Sequence, residues 1–302
     1  MASVPQPTTP LSRARTYASF VRFEHTLFSL PLILAGVFSA PGPALSPMRW
    51  GLLLIAAVGA RTAAMAINRL VDRRLDSLNP RTRERELPSG KMKLFEAWAL
   101  LVVSIAAYVA ACAALGPWFL RVSPVPLLVF TLYPYLKRFT AFCHFGVGAA
   151  LALAPLAGYA AAHPDLAHPA VALWLAAFAL VWVAGFDIIY ATLDEDFDRA
   201  NGVHSMVAWL GRQRALRVSA MLHNLASYLL IPIAILLVGP LNGKSLPLII
   251  APFLLCVVTN FLLRLEQKWA EDVNLAFFKV NVWVGFAVLA IVLLGRLAGG
   301  GF

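Results

Sequence analysis

Stretches of about twenty mostly apolar residues recur along the whole of this chain, and that recurrence limits its fold more than any other feature. A helical residue rises about 1.5 Å and a bilayer's hydrocarbon core is about 30 Å thick, so about twenty residues cross it. On that measure nine spans are expected, at roughly 20–40, 49–71, 94–115, 122–137, 144–162, 169–190, 215–238, 246–264 and 275–297. Turn formers stop two of them: Pro41-Gly42-Pro43 the first, Gly116-Pro117 the third. With 60% hydrophobic and only 13% charged residues, an ordinary water-soluble domain is excluded. The fold class is all-α, a polytopic membrane protein. Cys112, Cys143 and Cys256 sit far apart in or beside apolar runs, which suits buried small hydrophobes rather than a disulfide framework.

The formal charge of +10 does not call for nucleic acid. In a chain that crosses a lipid bilayer, such an excess reflects basic cytoplasmic loops beside anionic headgroups. With the N-terminus inside, nineteen Lys and Arg fall on inner segments and four on outer ones. The other two, Arg61 and Arg69, lie within the second span. That asymmetry puts the N-terminus in the cytoplasm and the C-terminus outside. Residues 1–16 are polar and rich in Pro and Thr, which predicts a disordered cytoplasmic tail rather than a cleaved signal peptide. Residues 298–302, AGGGF, are a short C-terminal tail.

Two acidic motifs follow apolar runs. The first, NRLVDRRLD at 68–76, spaces Asn68, Asp72 and Asp76 four apart, which puts them on one helical face. The second, DIIYATLDEDFD at 187–198, repeats the spacing with Tyr190, Asp194 and Asp198, each 122 residues on. The offset suggests two related four-helix halves plus a ninth helix. Single charges at span ends can simply anchor helices in headgroups. Paired like charges are costly unless a cation offsets them, so two such pairs on one side need more than anchoring. Hard-oxygen pairs suit Mg2+ bound with phosphate oxygens, and nothing offers the His and Cys ligands that zinc prefers.

The loop RTRERELPSGKMK carries Arg81, Arg83, Arg85, Lys91 and Lys93, and Lys137 and Arg138 end the fourth span. Most of these serve topology and lipid contact, while a minority should point at an Mg2+-bound diphosphate. Arg61 lies about two turns before Asn68, well inside an apolar run, where an Arg faces a polar cavity and a partner. Glu24, His25, His144 and His204 are further pocket candidates.

The residues Asn68-xxx-Asp72-xxx-Asp76, TLYPYLKRFT at 131–140 and DIIYATLDEDFD at 187–198 resemble the UbiA superfamily of intramembrane prenyltransferases, over about residues 17–297. The resemblance implies nine transmembrane helices around a central cavity, with a cytoplasmic cap from the second–third and sixth–seventh loops. It implies transfer of a prenyl group from a polyprenyl diphosphate to an aromatic acceptor, with Mg2+, in quinone biosynthesis at the plasma (inner) membrane. By position, Asn68, Asp72 and Asp76 would hold one Mg2+, and Asp194 and Asp198 the other. Arg85, Lys137 and Arg138 would grip the diphosphate. Arg61 would face an acceptor carboxylate, and Asp187 and Tyr190 match the start of the second motif, with Asp187 a candidate for activating the acceptor's hydroxyl.

Departures bear on the acceptor. Many members read Asn-Asp where this chain has Asn68-Arg69. The Arg-Pro-rich first-span signature of ubiquinone-pathway 4-hydroxybenzoate enzymes is absent. RFEHTLFSLP and FCHFGVGAALALAPLAG look instead like the branch on the futalosine route to menaquinone. A transporter with acidic cation sites is the alternative class, but the acids cluster at span ends rather than at the midplane. A CDP-alcohol phosphotransferase would need an Asp-Gly pair before Ala60-Arg61, and the chain has none there.

Overall fold

A computed structural model of the chain describes residues 10–22, 26–39, 42, 45–241, 243–269 and 280–300. Glu24, His25 and Lys279 lie outside the described residues. Every regular element described is helical: α1 Pro10–Phe20, α2 Thr26–Val37, α3 Pro47–Leu78, α4 Leu94–Leu115, α5 Pro117–Val122, α6 Pro124–Leu136, α7 Cys143–Ala162, α8 Ala170–Ala191, α9 Glu195–Ala200, α10 Met206–Leu210, α11 Arg212–Val238, α12 Leu246–Lys268 and α13 Asn281–Gly299. Among the described residues eight helices, counting α5 with α6 and α8 with α9, are long and apolar enough to cross a membrane. Of the expected first span, the described residues form α2, whose twelve residues reach about 18 Å. Residues 10–16, expected as tail, belong to α1, whose first position is held by Pro10. The C-terminal tail begins inside α13, which closes on Gly300 at φ 88.

Helix ends follow from local chemistry. Pro47 opens α3 behind Ser46, whose hydroxyl accepts the Arg49 N–H at 3.3 Å. Asn79 ends it in extended conformation, as a residue before Pro80 must be. At 32 residues α3 is about 48 Å long, so its last turns outrun the hydrocarbon and carry the first acidic motif out of it.

The core gathers on α8. Leu175, Phe178 and Trp182 are fully buried against Leu230 and Ile233 of α11 and Val284 and Ile291 of α13. Lipid offers no hydrophobic drive for helices to associate, so close packing and interhelical hydrogen bonds carry the stability. Both are present. A Cβ on Gly158 would run into the Ile33 carbonyl, and one on Gly148 into the Leu180 carbonyl, so α7 meets α2 and α8 backbone to backbone. The Trp182 indole donates to Asn281 Oδ1 at 2.9 Å, and Asn281 donates to Glu266 Oε1 at 2.8 Å. Gln267 donates to Ser219 at 2.7 Å, and Ser219 to the Gly185 carbonyl at 2.7 Å. These two chains of bonds link α8, α11, α12 and α13. The three cysteines are buried and form no disulfide, as their apolar settings predict.

Candidate active site

α3 stays regular through Leu78, so Asn68, Asp72 and Asp76 do share one face. Asp72 is buried near the end of that face. Its Oδ2 accepts from Lys137 Nζ at 2.5 Å and from Asn68 Nδ2 at 3.3 Å. Its Oδ1 has no hydrogen-bond partner. One turn on, Asp76 Oδ1 accepts from Arg85 Nη1 at 2.7 Å. Lys137 reaches Asp72 because α6 ends at Leu136, immediately before it.

The second motif departs from expectation. Tyr190, Asp194 and Asp198 do not share an unbroken helical face: α8 stops at Ala191, a 3-10 turn covers Thr192–Asp194, and α9 starts at Glu195. The Thr192 hydroxyl donates to the Ile189 carbonyl at 2.7 Å, the local competition with the ladder that Thr brings to a helix end. The break turns Asp194 toward the α3–α4 loop. There Arg81 Nε donates to Asp194 Oδ1 at 2.8 Å, Arg81 Nη2 pairs with Asp194 Oδ2, and Arg81 Nη1 donates to the Tyr190 hydroxyl at 2.8 Å. Asn79 Nδ2 adds a bond to Asp194 Oδ1 at 2.7 Å. Burial works against the Arg81 charge, but the hydrogen bonds to Asp194 and Tyr190 outweigh it and hold the guanidinium above the ordinary arginine range.

These side chains line a polar chamber of about 230 Å³. Beside it lies an apolar chamber of about 620 Å³. Asn68, Arg85, Tyr133, Val147, Asp187 and Tyr190 line both, so the two meet at that ring of residues. Asp187 sits on α8 with one oxygen, Oδ2, 2.7 Å from His144 Nδ1, and its side chain is 26% exposed.

Of the residues singled out in the sequence, Asn68, Asp72, Asp76, Arg85, Lys137, Asp187, Tyr190, Asp194 and Asp198 all line the polar chamber. Arg61 lines the apolar one and donates to the Arg22 carbonyl at 3.1 Å. Arg138 lines neither. Its guanidinium donates to the Val71 carbonyl at 2.8 Å and lies 5.1 Å from the Tyr135 ring centre, so the structure does not bring it to the site. Arg69 is buried with its Nε on the Phe20 carbonyl at 3.4 Å, which ties α3 to α1. Reading the sequence undervalued Arg81 and passed over Asn79. The signal was Asn79-Pro80: a helix breaker three residues past an acidic face folds the following side chains back over it. Among the described residues no group of three or more His, Cys, Asp or Glu is close enough to hold a metal unaided. Asp72, Asp76 and Asp194 are each paired with a basic side chain instead.

Residues 29–285 match the UbiA prenyltransferase family. A 4-hydroxybenzoate octaprenyltransferase of Cupriavidus necator is 34% identical over 209 residues, 67% of this chain and 71% of that one. One from Tolumonas auensis is 29% identical over 276 residues, 89% of each chain. Among solved structures, the apo UbiA homolog from Aeropyrum pernix K1 superposes with TM-score 0.74 at 32% identity, covering 91% of this chain and 97% of that one. A UbiA homolog from Archaeoglobus fulgidus bound to GPP and Mg2+ shares the fold, with TM-score 0.62 at 20% identity, covering 91% of this chain and 99% of that one. An all-helical membrane fold with two acidic motifs at one chamber, matched by family and by structure over most of its length, makes this chain a prenyltransferase of the UbiA family.

Proposed function

We propose that this enzyme transfers a polyprenyl group from a polyprenyl diphosphate to a hydroxylated aromatic carboxylate, with Mg2+, in quinone biosynthesis. One observation carries the reading: a chamber lined by carboxylates and bases opens, through Asn68, Tyr133, Asp187 and Tyr190, into a larger apolar chamber. A diphosphate suits the first and a prenyl chain with an aromatic ring suits the second. The donor set fits a hard cation that arrives with phosphate oxygens. It is carboxylate and amide oxygen throughout, and Asp72 Oδ1 is buried without a partner. Asn68, Asp72 and Asp76 would hold one Mg2+, and Asp194 and Asp198 another. The Mg2+ would supply Lewis-acid neutralisation of the leaving diphosphate.

The chain's own residues do the rest. Lys137, Arg85 and Arg81, now paired with Asp72, Asp76 and Asp194, turn to phosphate oxygens when a loaded substrate takes over those carboxylates. As the allylic C–O bond breaks, its electron pair leaves with the diphosphate, and these cations stabilise the growing negative charge. The apolar chamber keeps water from capturing the allylic cation. Arg61 orients the acceptor's carboxylate. Asp187 takes the hydroxyl proton while the ring carbon bonds to the allylic carbon. That ring carbon then loses its own proton to the released diphosphate, and Asp187 returns the hydroxyl proton to the oxygen. The polar chamber opens to the cytoplasm of a plasma (inner) membrane, with the N-terminus on that side and the C-terminus outside. The nineteen-to-four split of basic residues supports that orientation.

The acceptor we infer is a naphthoate of the futalosine route to menaquinone, on the strength of RFEHTLFSLP and FCHFGVGAALALAPLAG. A second reading, 4-hydroxybenzoate, is favoured by the names of the Cupriavidus and Tolumonas relatives. A mass-spectrometric product assay in membranes, offering both acceptors in parallel with several prenyl diphosphates, tests this. Prenylated naphthoate supports the first reading, prenylated hydroxybenzoate alone moves the assignment to the second, and no prenylated product from either overturns both.

A further inference from the structure

His144 takes no part in the proposed mechanism, yet it touches the residue that moves the proton. It is the second residue of α7 and its side chain is only 2% exposed. Nδ1 lies 2.7 Å from Asp187 Oδ2. Nε2 accepts the backbone N–H of Met206 at 3.1 Å. A ring nitrogen that accepts from an N–H carries no proton, so the proton sits on Nδ1 and is donated to Asp187. A backbone amide cannot rotate into an acceptor, so Met206 holds that tautomer in place.

Met206 in turn is fixed by the loop after the second acidic motif. Val203 N–H donates to the Asp198 carbonyl at 2.9 Å, and His204 N–H to the Lys137 carbonyl at 2.7 Å. The Cys143 thiol donates to the His204 carbonyl at 3.3 Å. Ser205 caps α10, its hydroxyl accepting the Ala208 N–H at 3.1 Å, which presents the first amide of α10 to the His144 ring. The loop that follows the second acidic motif is therefore docked to Asp187 through one imidazole.

We propose that His144 is a positioning residue for prenyl transfer: held as the Nδ1–H tautomer by the Met206 amide, it fixes one oxygen of Asp187 and aims the other at the acceptor's hydroxyl. The proposal rests on the assignment of Asp187 as the group that takes that proton. Its chemistry is orientation, with no proton moved by His144 itself.

Steady-state kinetics of the full-length enzyme in membranes separate these roles. His144→Ala lowers kcat roughly 10- to 100-fold, the scale of a misaimed catalytic group, with KM for the prenyl diphosphate within about twofold. His144→Asn, which keeps an N–H donor near the Nδ1 position, recovers most of the lost kcat. Met206→Pro removes the locking amide at a helix position that accepts Pro, behind a residue already extended at φ −118 and ψ 161. It lowers kcat about fivefold relative to Met206→Ala, the size of one lost hydrogen bond. On an Asp187→Asn background, His144→Ala causes no further loss. Parental kcat in His144→Ala, equal loss in the Ala and Asn variants, or full additivity with Asp187→Asn overturns the proposal. If His144→Ala does not accumulate in membranes, the Asn and Pro variants decide by the same criteria. Full activity of Asp187→Asn overturns the Asp187 assignment and this proposal with it. An inactive Asp187→Asn beside a parental His144→Ala overturns only the role of His144.

Discussion

Replacing Lys137 with Met tests the charge pairing at the heart of the polar chamber. Asp72 Oδ2 accepts from Lys137 at 2.5 Å, its other contact is Asn68 at 3.3 Å, and Oδ1 is buried with no partner. Lys137→Met would strand a buried carboxylate. Removing one partner of a fully buried pair costs about 3–5 kcal/mol. Protonation caps that cost, because neutralising an aspartate with a pKa near 3.9 at pH 7 takes about 4 kcal/mol. The Lys137 side chain is 29% exposed, so water already screens part of the interaction. The expected destabilisation is therefore about 2 kcal/mol, or about 4–8 °C in apparent Tm. The second substitution is the sharper part of the test. Asp72→Asn removes the charge that Lys137 compensates, so Lys137→Met with Asp72→Asn should be more stable than Lys137→Met alone. Thermal unfolding of the four proteins in one detergent closes the cycle. An unchanged Tm for Lys137→Met, or a double variant less stable than it, would refute the pairing as the source of the stability.

Three further outcomes follow from the packing and the site. Gly158→Ala pushes a methyl into the Ile33 carbonyl, and a drop of about 1–3 kcal/mol in stability is expected; parental unfolding would show that α2 and α7 do not meet backbone to backbone. Asn281→Ala leaves the Trp182 indole and Glu266 Oε1 without their bonds inside the bundle, which should lower stability by about 1–3 kcal/mol, read from the same unfolding curves. Arg61→Met should raise KM for the acceptor about 10- to 100-fold through loss of a charge-assisted contact, with little change for the prenyl diphosphate; an unchanged acceptor KM would remove Arg61 from the acceptor site.

How far the sequence could be read depended on whether a helix continued. Asn68, Asp72 and Asp76 were legible because α3 runs unbroken to Asn79, so spacing alone set their face. The stretch TLDEDFD contains no Pro or Gly, so nothing signalled that α8 would end at Ala191. The break rests on a side-chain bond from Thr192 and on what the α3–α4 loop offers to Asp194. Arg81 and Arg138 show the same limit from the other side. Each stood in a basic stretch at a span end, and only the path of the loop decides that Arg81 turns onto Asp194 while Arg138 turns back onto α3. Most long spans were read to within a few residues because apolar length is a property of the chain itself, although α3 runs on to Leu78, past the expected 71. Of the first span, the structure describes α2 over Thr26–Val37, and residues 23–25 and 40 lie outside the described residues.

The two acidic motifs are proposed to act together, with Mg2+, to release diphosphate from a prenyl donor. The most direct test is the rate of product formation by the parent, Asp72→Asn and Asp194→Asn in the same membranes, with Mg2+, with EDTA, and with Mg2+ restored after EDTA. A fall of at least about 100-fold is expected in each variant and in EDTA, with the parent alone recovering when Mg2+ returns. Parental rates in either variant, or in EDTA, would contradict it.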